Sequence, residues 1–592
     1  MFRRCNGERE SVPSVSMANR ASIFQDGGSS PQGVATAILL IVIAGVACYS
    51  NSFDGPFVFD DIGAIAKNES IQNLSKIRTV LTAATHCTVI GRPLLNLSLA
   101  LNYWFSGTNV VWDYHAFNLA AHLFAGLMLF AVAHRTLLLP DIPDRIRRKA
   151  VGLAFAIALI WTVHPLQTES VTYIVQRAES LVAVFFFLTL YCVIRGATAI
   201  TSPPWYLAAI ATCMLGMSTK EVMATAPLVI LFYDRIFLCR SLNEIRRLRS
   251  GLYAGLAATW GWLAVLMLSS KGRSNTGGFG LGIGAWDYAM TQFGFIARYL
   301  RLCFVPYPLV FDYGETVART PMEIIPYAAI VFFLLFGVIF ALRLHPWIGF
   351  LGISFFVILA PTSSIVPLVT QTAAEHRMYL PLAPLVALFV VLGAQMLDWL
   401  VFRSTLAKGD DSESSQTPQF AMLILIATGL GYLTYQRNRD YHSELRLWEQ
   451  TVRHCPSNAR AFHNLGWAYL QKGLISPAID AFNRAIELHP DVIHSLHCRG
   501  DAYVLAKQYE LAVQDYQRAA SLSPTGSFDK AKEYFFVGNA LGFMGKHREA
   551  LEYFSLALET HADYPDARLM VAKLKRHLGD AANDGPPGKP VP

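Results

Sequence analysis

Long apolar runs recur along this chain, and they limit its fold more than any other feature. A helix needs roughly 20 mostly apolar residues to cross the hydrocarbon core of a bilayer. Runs near that length lie at 34–52, 114–134, 150–166, 179–196, 204–218, 222–239, 251–269, 323–343, 347–367, 379–402 and 419–435. Hydropathy therefore predicts an all-α, polytopic membrane bundle of about eleven transmembrane helices. Composition agrees: 53% of the 592 residues are hydrophobic and 15% are charged, where soluble domains carry about 25% charged residues. The run 291–311 is set apart. Arg298 and Arg301 interrupt it and Pro306 and Pro308 break it, so it reads as an amphipathic helix lying in the interface.

Lys and Arg in short loops mark the cytoplasmic side of a membrane protein. They gather at Arg135, Arg145, Arg147, Arg148 and Lys149, at Arg246, Arg247 and Arg249, and at Arg403 and Lys408. With eleven spans these loops share one side, and the polar tail 1–33 is cytoplasmic. Loop 53–113 and everything after residue 435 then face the periplasm or the endoplasmic reticulum lumen. The protein is expected in the bacterial inner membrane or the endoplasmic reticulum membrane. The net charge of +7 is modest and dispersed, which gives no footprint for nucleic acid. Nine scattered cysteines without CxxC or metal-ligand spacing predict neither a disulfide framework nor a zinc site.

Beyond residue 436 the texture becomes polar and periodic. Gly466 and Gly500, Tyr469 and Tyr503, Ala478 and Ala512, Ala485 and Ala519, and Pro490 and Pro524 each stand 34 residues apart. Gly538, Ala550, Phe554 and Ala557 continue the pattern with an offset of four residues. This is the tetratricopeptide pattern, with small residues where paired helices cross. Units are predicted at 459–492, 493–526 and 531–564. They form an α-solenoid domain over 437–570, after a membrane domain over 34–436 and before a disordered tail over 571–592. The concave face of such a stack suits an extended peptide.

The chemistry-bearing residues lie between the apolar runs. Asp60 and Asp61 follow the first run, and two adjacent carboxylates at a membrane surface repel each other and cost desolvation energy. Parity places them with His86 and Arg92, with His164, Glu169, Arg177 and Glu179, with Lys220 and Glu221, and with Glu375, His376 and Arg377. A base and several cations on one surface make a candidate site. His115, Asn118 and His122 share one helical face, a polar seam that either faces a substrate cavity or bonds to neighbouring helices; bonding is favoured for His122, and His115, nearer the outer end, stays open. Asn68, Asn73 and Asn96 head Asn-x-Ser sequons in the first loop.

Several segments together carry a resemblance. They are Phe57-Val58-Phe59-Asp60-Asp61, Gly91-Arg92-Pro93-Leu94-Leu95-Asn96, Val163-His164-Pro165-Leu166-Gln167-Thr168-Glu169, Arg177-Ala178-Glu179, Ser218-Thr219-Lys220-Glu221, Arg298-Tyr299-Leu300-Arg301 and Glu375-His376-Arg377-Met378-Tyr379-Leu380-Pro381, followed by the repeats. In that order they resemble the transmembrane and tetratricopeptide-repeat O-mannosyltransferases and their bacterial relatives, within the C-type glycosyltransferase (GT-C) fold.

The resemblance implies transfer of mannose or a similar hexose from a polyprenyl- or dolichyl-phosphate donor to Ser/Thr hydroxyls of proteins. It implies Asp60 as catalytic base, with Asp61 positioning the acceptor or supporting Asp60. Arg377, His376, Lys220, Arg92, Arg298 and Arg301 are expected to meet the donor phosphate. Glu375, Glu221, Glu169, Arg177 and His115 are expected to support them. No cofactor is required, and a divalent ion between Asp60 and the phosphate is compatible with the scheme. The repeat groove is expected to take the acceptor protein. Two alternatives stay open from the residues alone: a glycan or lipid acceptor in envelope polysaccharide assembly, and a non-catalytic membrane scaffold.

Overall fold

A computed structural model of the chain describes residues 30–82, 89–108, 110–270, 283–314, 317–364, 366–368, 371–408 and 417–583. His86 and the segments 1–29 and 584–592 lie outside the described residues. The chain divides into two compact units. The first holds 1–309 and 316–443, and the second holds 310–315 and 444–592. The boundary therefore falls after residue 443, not 436, and a short piece of an earlier loop belongs to the second unit.

The first unit is a helical bundle. Its main helices are α1 (Pro31–Tyr49), α2 (Pro93–Ser106), α3 (Trp112–Leu137), α4 (Ala150–Thr162), α5 (Thr168–Thr172), α6 (Arg177–Thr198), α7 (Pro203–Met217), α8 (Ala226–Tyr233), α9 (Leu242–Ser269), α10 (Ala285–Phe304), α11 (Pro321–Leu344), α12 (Pro346–Leu359), α13 (Leu382–Lys408) and α14 (Thr417–Asn438). Prolines open several of them, where a missing N–H is no loss. Ala37, Ile41, Phe130, Ala154, Ala158 and Val163 form a core shared by α1, α3 and α4. Small residues let these backbones approach, as expected where lipid supplies no hydrophobic drive between helices.

The expected count of eleven spans is corrected here. Among the described residues six helices are long and apolar enough to cross a membrane, or seven if the pair Ala150–Thr162 and Pro165–Thr172, bent by 54°, makes one span. The runs 204–218 and 347–367 fold as helices of 15 and 14 residues. The run 222–239 divides into a 3-10 turn (Glu221–Thr225), the eight-residue α8 and a π-helical turn (Asp234–Leu238). The assignment of loops to membrane sides by parity falls with that count. The run around 291–311 folds as α10. One face of it (Tyr288, Thr291, Gln292, Phe295, Ile296, Tyr299 and Leu302) is buried, while Arg298 and Arg301 are exposed.

Contacts define two ends of this unit. Lys149 and Arg145 meet Asp398 at 2.7 and 3.3 Å, and Arg249 pairs with Asp234, at the end where α3 and α6 finish. The opposite end gathers the loops after α1, α4, α7 and α12.

The second unit begins with α15 (Glu444–His454). Three helix pairs follow: α16 (Ala459–Gln471) with α17 (Ile475–Leu488), α18 (Ile493–Leu505) with α19 (Tyr509–Leu522), and α20 (Phe528–Phe543) with α21 (His547–Thr560). A last helix, α22 (Pro565–Asn583), continues through residues expected to be disordered tail. The repeated glycines sit under aromatic rings. A Cβ at Gly500 would lie 2.6 Å from Tyr516, and one at Gly466 would lie 2.7 Å from Phe482. In the segment Val310–Glu315, the Asp312 carboxylate accepts two 2.7 Å bonds from Arg460, and Phe311 meets Trp448 edge-on at 5.3 Å.

The close approach at Gly500 makes a direct prediction. Gly500→Leu should destabilise the repeats by about 1–3 kcal/mol through overpacking. Gly542→Leu, where an added Cβ meets nothing within 4 Å, should cost far less. Helical circular dichroism of the full chain during heating compares the two.

Candidate active site

The acidic pair is divided by its surroundings. Asp61 is buried, and each of its oxygens is used: Oδ2 accepts the Val58 N–H at 3.1 Å and Oδ1 accepts the Val175 N–H at 2.7 Å. Burial pushes the Asp61 carboxyl up to about 8. The two backbone N–H groups oppose that rise, Asp60 adds to it, and Arg177 works against it. At neutral pH Asp61 is thus held as an acid, which places no like charge beside Asp60. It staples the loop that carries Asp60.

Asp60 is half-buried, and its backbone N–H donates to the Tyr173 hydroxyl at 2.9 Å. The residue before it, Phe59, has φ +46. A bulky side chain in the left-handed region costs about 1–3 kcal/mol and persists where its surroundings enforce it.

Around this loop stands a paired set of charges. Lys220 Nζ reaches Glu179 at 2.5 Å with both side chains buried. Arg92 meets Glu221 at a looser 3.5 Å. Burial lowers the Arg92 guanidinium to about 10, with Glu179 and Asp60 opposing, so it stays cationic at neutral pH and lies in the field of Asp60. His376 donates its backbone N–H to Glu169 Oε2 at 2.9 Å, and its Nδ1 lies 2.7 Å from Glu169 Oε1. Burial pushes the Glu169 carboxyl up to about 7, so the proton between these two atoms is shared by a near-neutral acid and the ring. Burial first, then the Lys220 ammonium, hold His376 well below its ordinary range. The ring is neutral, so it is not the cation expected from the sequence.

Other expected site residues have structural partners. Arg377 donates to the carbonyls of Thr362, Thr372 and Gln371 and to the Tyr288 hydroxyl, which ties the loop after α12 to α10. Arg177 donates to Asn102, Ser98 and Tyr114 and lies 4.6 Å over the Phe117 ring. His115 Nε2 sits 3.0 Å from the Gly55 carbonyl. Glu375 lies 3.7 Å from Arg437, which also holds Asp440 at 3.0 Å. Arg298 and Arg301 stand on the exposed face of α10; Arg301 donates to the Tyr307 carbonyl and Arg298 lies 5.9 Å over Phe295. Neither has a described contact to the Asp60 loop.

The polar seam on α3 is a bonding seam. Asn118 donates to the Val171 and Ile174 carbonyls, and His122 lies 2.6 Å from the Tyr379 hydroxyl and 2.9 Å from the Thr162 carbonyl. Tyr173, Tyr379 and Arg437 are not among the expected site residues. Tyr379 stands in the segment 375–381 that carries the resemblance, and Arg437 is a cation just past an apolar run, whereas Tyr173 carries no signal. Among the described residues, no group of three or more His, Cys, Asp or Glu side chains is placed to hold a metal ion. A divalent ion at Asp60 would find Asp61 already occupied by backbone N–H groups.

The structure defines a class: an all-α protein with helices of membrane-spanning length, a buried acid–base cluster at one end of the bundle, and tetratricopeptide repeats. The tetratricopeptide repeat family matches residues 459–492 and again 493–525. Most of the chain is homologous to proteins named protein O-mannosyl-transferases. It is 24% identical over 483 residues to protein O-mannosyl-transferase F38B6.6 of Caenorhabditis elegans, covering 78% of this chain and 63% of that one. It is 25% identical over 532 residues to human protein O-mannosyl-transferase TMTC3, covering 82% and 55%. It is 24% identical over 506 residues to human protein O-mannosyl-transferase TMTC4, covering 75% and 65%. The chain thus spans between about half and two thirds of the length of these relatives.

The Asp61 staple sets a pH dependence. Its folded value, about 8, lies above the ordinary carboxylate value, so the folded chain binds the extra proton. Its contribution to stability then falls as pH rises from about 4 to about 8 and levels off above. Thermal unfolding in detergent between pH 6 and 9 should show the decline, and Asp61→Asn should flatten it.

Proposed function

We propose that the Asp60 cluster is the active site of a membrane glycosyltransferase. It moves a hexose, mannose by the names of the relatives, from a polyprenyl-phosphate donor to a Ser or Thr hydroxyl of a protein on the extracytoplasmic side. The single observation that carries this reading is the division of labour in the acidic pair. One carboxyl is sealed as a staple, and the other is presented in a strained loop within the field of Arg92.

The chemistry follows from the two reacting groups. A neutral hydroxyl is a weak nucleophile until a base takes its proton. Asp60 accepts that proton as the hydroxyl oxygen attacks the anomeric carbon. The new C–O bond forms, the bond from the anomeric carbon to the phosphate oxygen breaks, and the electron pair leaves with the phosphate. Its charge is met by preorganised cations. Arg92 and Lys220 suit that task better than Arg377, whose donors are committed to carbonyls, and better than neutral His376. In this reading the repeats bring acceptor protein to the membrane unit, and Arg298 and Arg301 face lipid headgroups.

Asp60→Asn should lower transfer about 10²–10⁴-fold while the protein remains folded in the membrane. The assay is membranes carrying the protein, labelled polyprenyl-phosphate mannose and a Ser/Thr-rich protein acceptor, read by mass spectrometry. Equal transfer by the wild-type and Asp60→Asn proteins would sink the reading.

Sidedness has its own test. Asn68 and Asn96 are buried and bonded to each other at 3.0 Å, whereas Asn73 is exposed. Expressed in a eukaryotic host, the protein should gain one glycan, at Asn73, if loop 53–113 is luminal. Loss of that glycan in Asn73→Gln confirms the position, and an unglycosylated wild-type protein would place the loop on the other side.

A further inference from the structure

We propose that Tyr173 is the positioning residue for Asp60, and that the broken segment between α5 and α6 is the platform that aims the base. The inference rests on the reading of Asp60 given above. Three observations carry it.

The first is the pair of bonds that join the two segments. The Asp60 N–H donates to the Tyr173 hydroxyl, and the Val175 N–H donates to Asp61 Oδ1. One bond leaves the loop and the other enters it, two residues apart on each partner's chain or closer. Together they fix the loop against sliding and against rotation about its own axis.

The second is the backbone between those anchors. Phe59 holds φ +46, a conformation that a phenylalanine avoids when unconstrained. The Asp61 N–H closes a turn onto the Val58 carbonyl at 2.9 Å, and the Ile62 N–H closes another onto the Phe59 carbonyl at 3.2 Å. With the turn closed and both aspartates tethered, the left-handed residue determines where the Asp60 side chain leaves the loop.

The third is that the platform is itself anchored. Tyr173 is buried at 2% exposure. The carbonyls on either side of it, Val171 and Ile174, are both held by Asn118 of α3. The Thr172 hydroxyl donates to Asn438 of α14, whose amide donates to Cys48 of α1 and to Asn51 just after it. The backbone that carries Tyr173 is therefore tied to α3 and α14 together. Moving it requires moving two long helices, which makes it a fixed reference point for the base.

A residue that acts through Asp60 has a different signature from one that packs. Tyr173→Phe removes one oxygen and keeps the ring. The expected result is a fall in kcat of about ten- to a hundredfold, because a displacement near 1 Å at the reacting group costs about that much. KM for donor and acceptor should be unchanged, and the melting temperature should fall only slightly, because the freed N–H belongs to a half-buried residue. In an Asp60→Glu background, where the carboxylate is already displaced, the same change should cost much less than it does in the wild type.

Wild-type kcat in Tyr173→Phe overturns the proposal, as does an equal loss in both backgrounds. If the melting temperature falls markedly too, Phe59→Gly/Tyr173→Phe decides. Glycine takes φ near +46 without strain, so kcat recovers if the tether holds that conformation and stays low if Tyr173 only packs. Asp60→Asn run beside these variants separates the two readings. Transfer surviving in Asp60→Asn removes the assignment of the base. An inactive Asp60→Asn beside a fully active Tyr173→Phe removes only the role of Tyr173.

Discussion

The first unit depends on satisfying the main chain where the helix after α4 breaks. A bent or broken helix frees N–H and C=O groups, and in apolar surroundings each unpaired group costs several kcal/mol. Side chains from distant parts of the sequence meet that need. Thr434 donates to the Val163 carbonyl, His122 lies against the Thr162 carbonyl, and Asn118 holds the carbonyls of Val171 and Ile174. Trp161 donates to the Tyr379 carbonyl from the other direction. Asn118, His122 and Thr434, three polar residues of this apolar bundle, are accounted for by that one break. Once it is held, the segment beyond it becomes rigid enough to carry a carboxyl staple.

The charged groups around Asp60 obey the same economy. Burying an ion without a partner is prohibitive, so each buried cation meets an anion or a set of carbonyls. Lys220 takes Glu179, Arg437 takes Glu375 and Asp440, and Arg377 takes three carbonyls. Removing one partner from such a pair leaves the other stranded, which typically costs more than the pair itself contributes. The cluster is preorganised for charge before any ligand arrives, which is the property that the proposed transfer asks of it. Arg92 meets Glu221 at 3.5 Å.

The second unit follows a different logic. Each helix pair of a solenoid buries its apolar face only against its neighbours, so the ends need covers. Here α15 and the segment Val310–Glu315 lie at the first repeat, with Asp312 gripped by Arg460 and Phe311 against Trp448. At the other end α22 packs on the last pair and extends the helical stack to Asn583.

By itself the sequence determined the class of this protein. Hydropathy marks the helices because lipid-facing surface must be apolar along its length. The 34-residue period marks the repeats because a glycine must recur wherever an aromatic ring crosses a helix. Asp60 and Asp61 were legible as unusual because adjacent acids in an oily chain are costly. Only the tertiary structure decided how many runs are long, unbroken helices, because an apolar run of 14 residues looks the same whether it ends in a turn or continues. The structure alone showed what distinguishes Asp61 physically, since that depends on two backbone N–H groups, one of them from Val175, more than a hundred residues away. It also moved Arg377 and His376 out of the cationic role. A side chain's charge and its committed donors are set by neighbours that sequence spacing does not reveal.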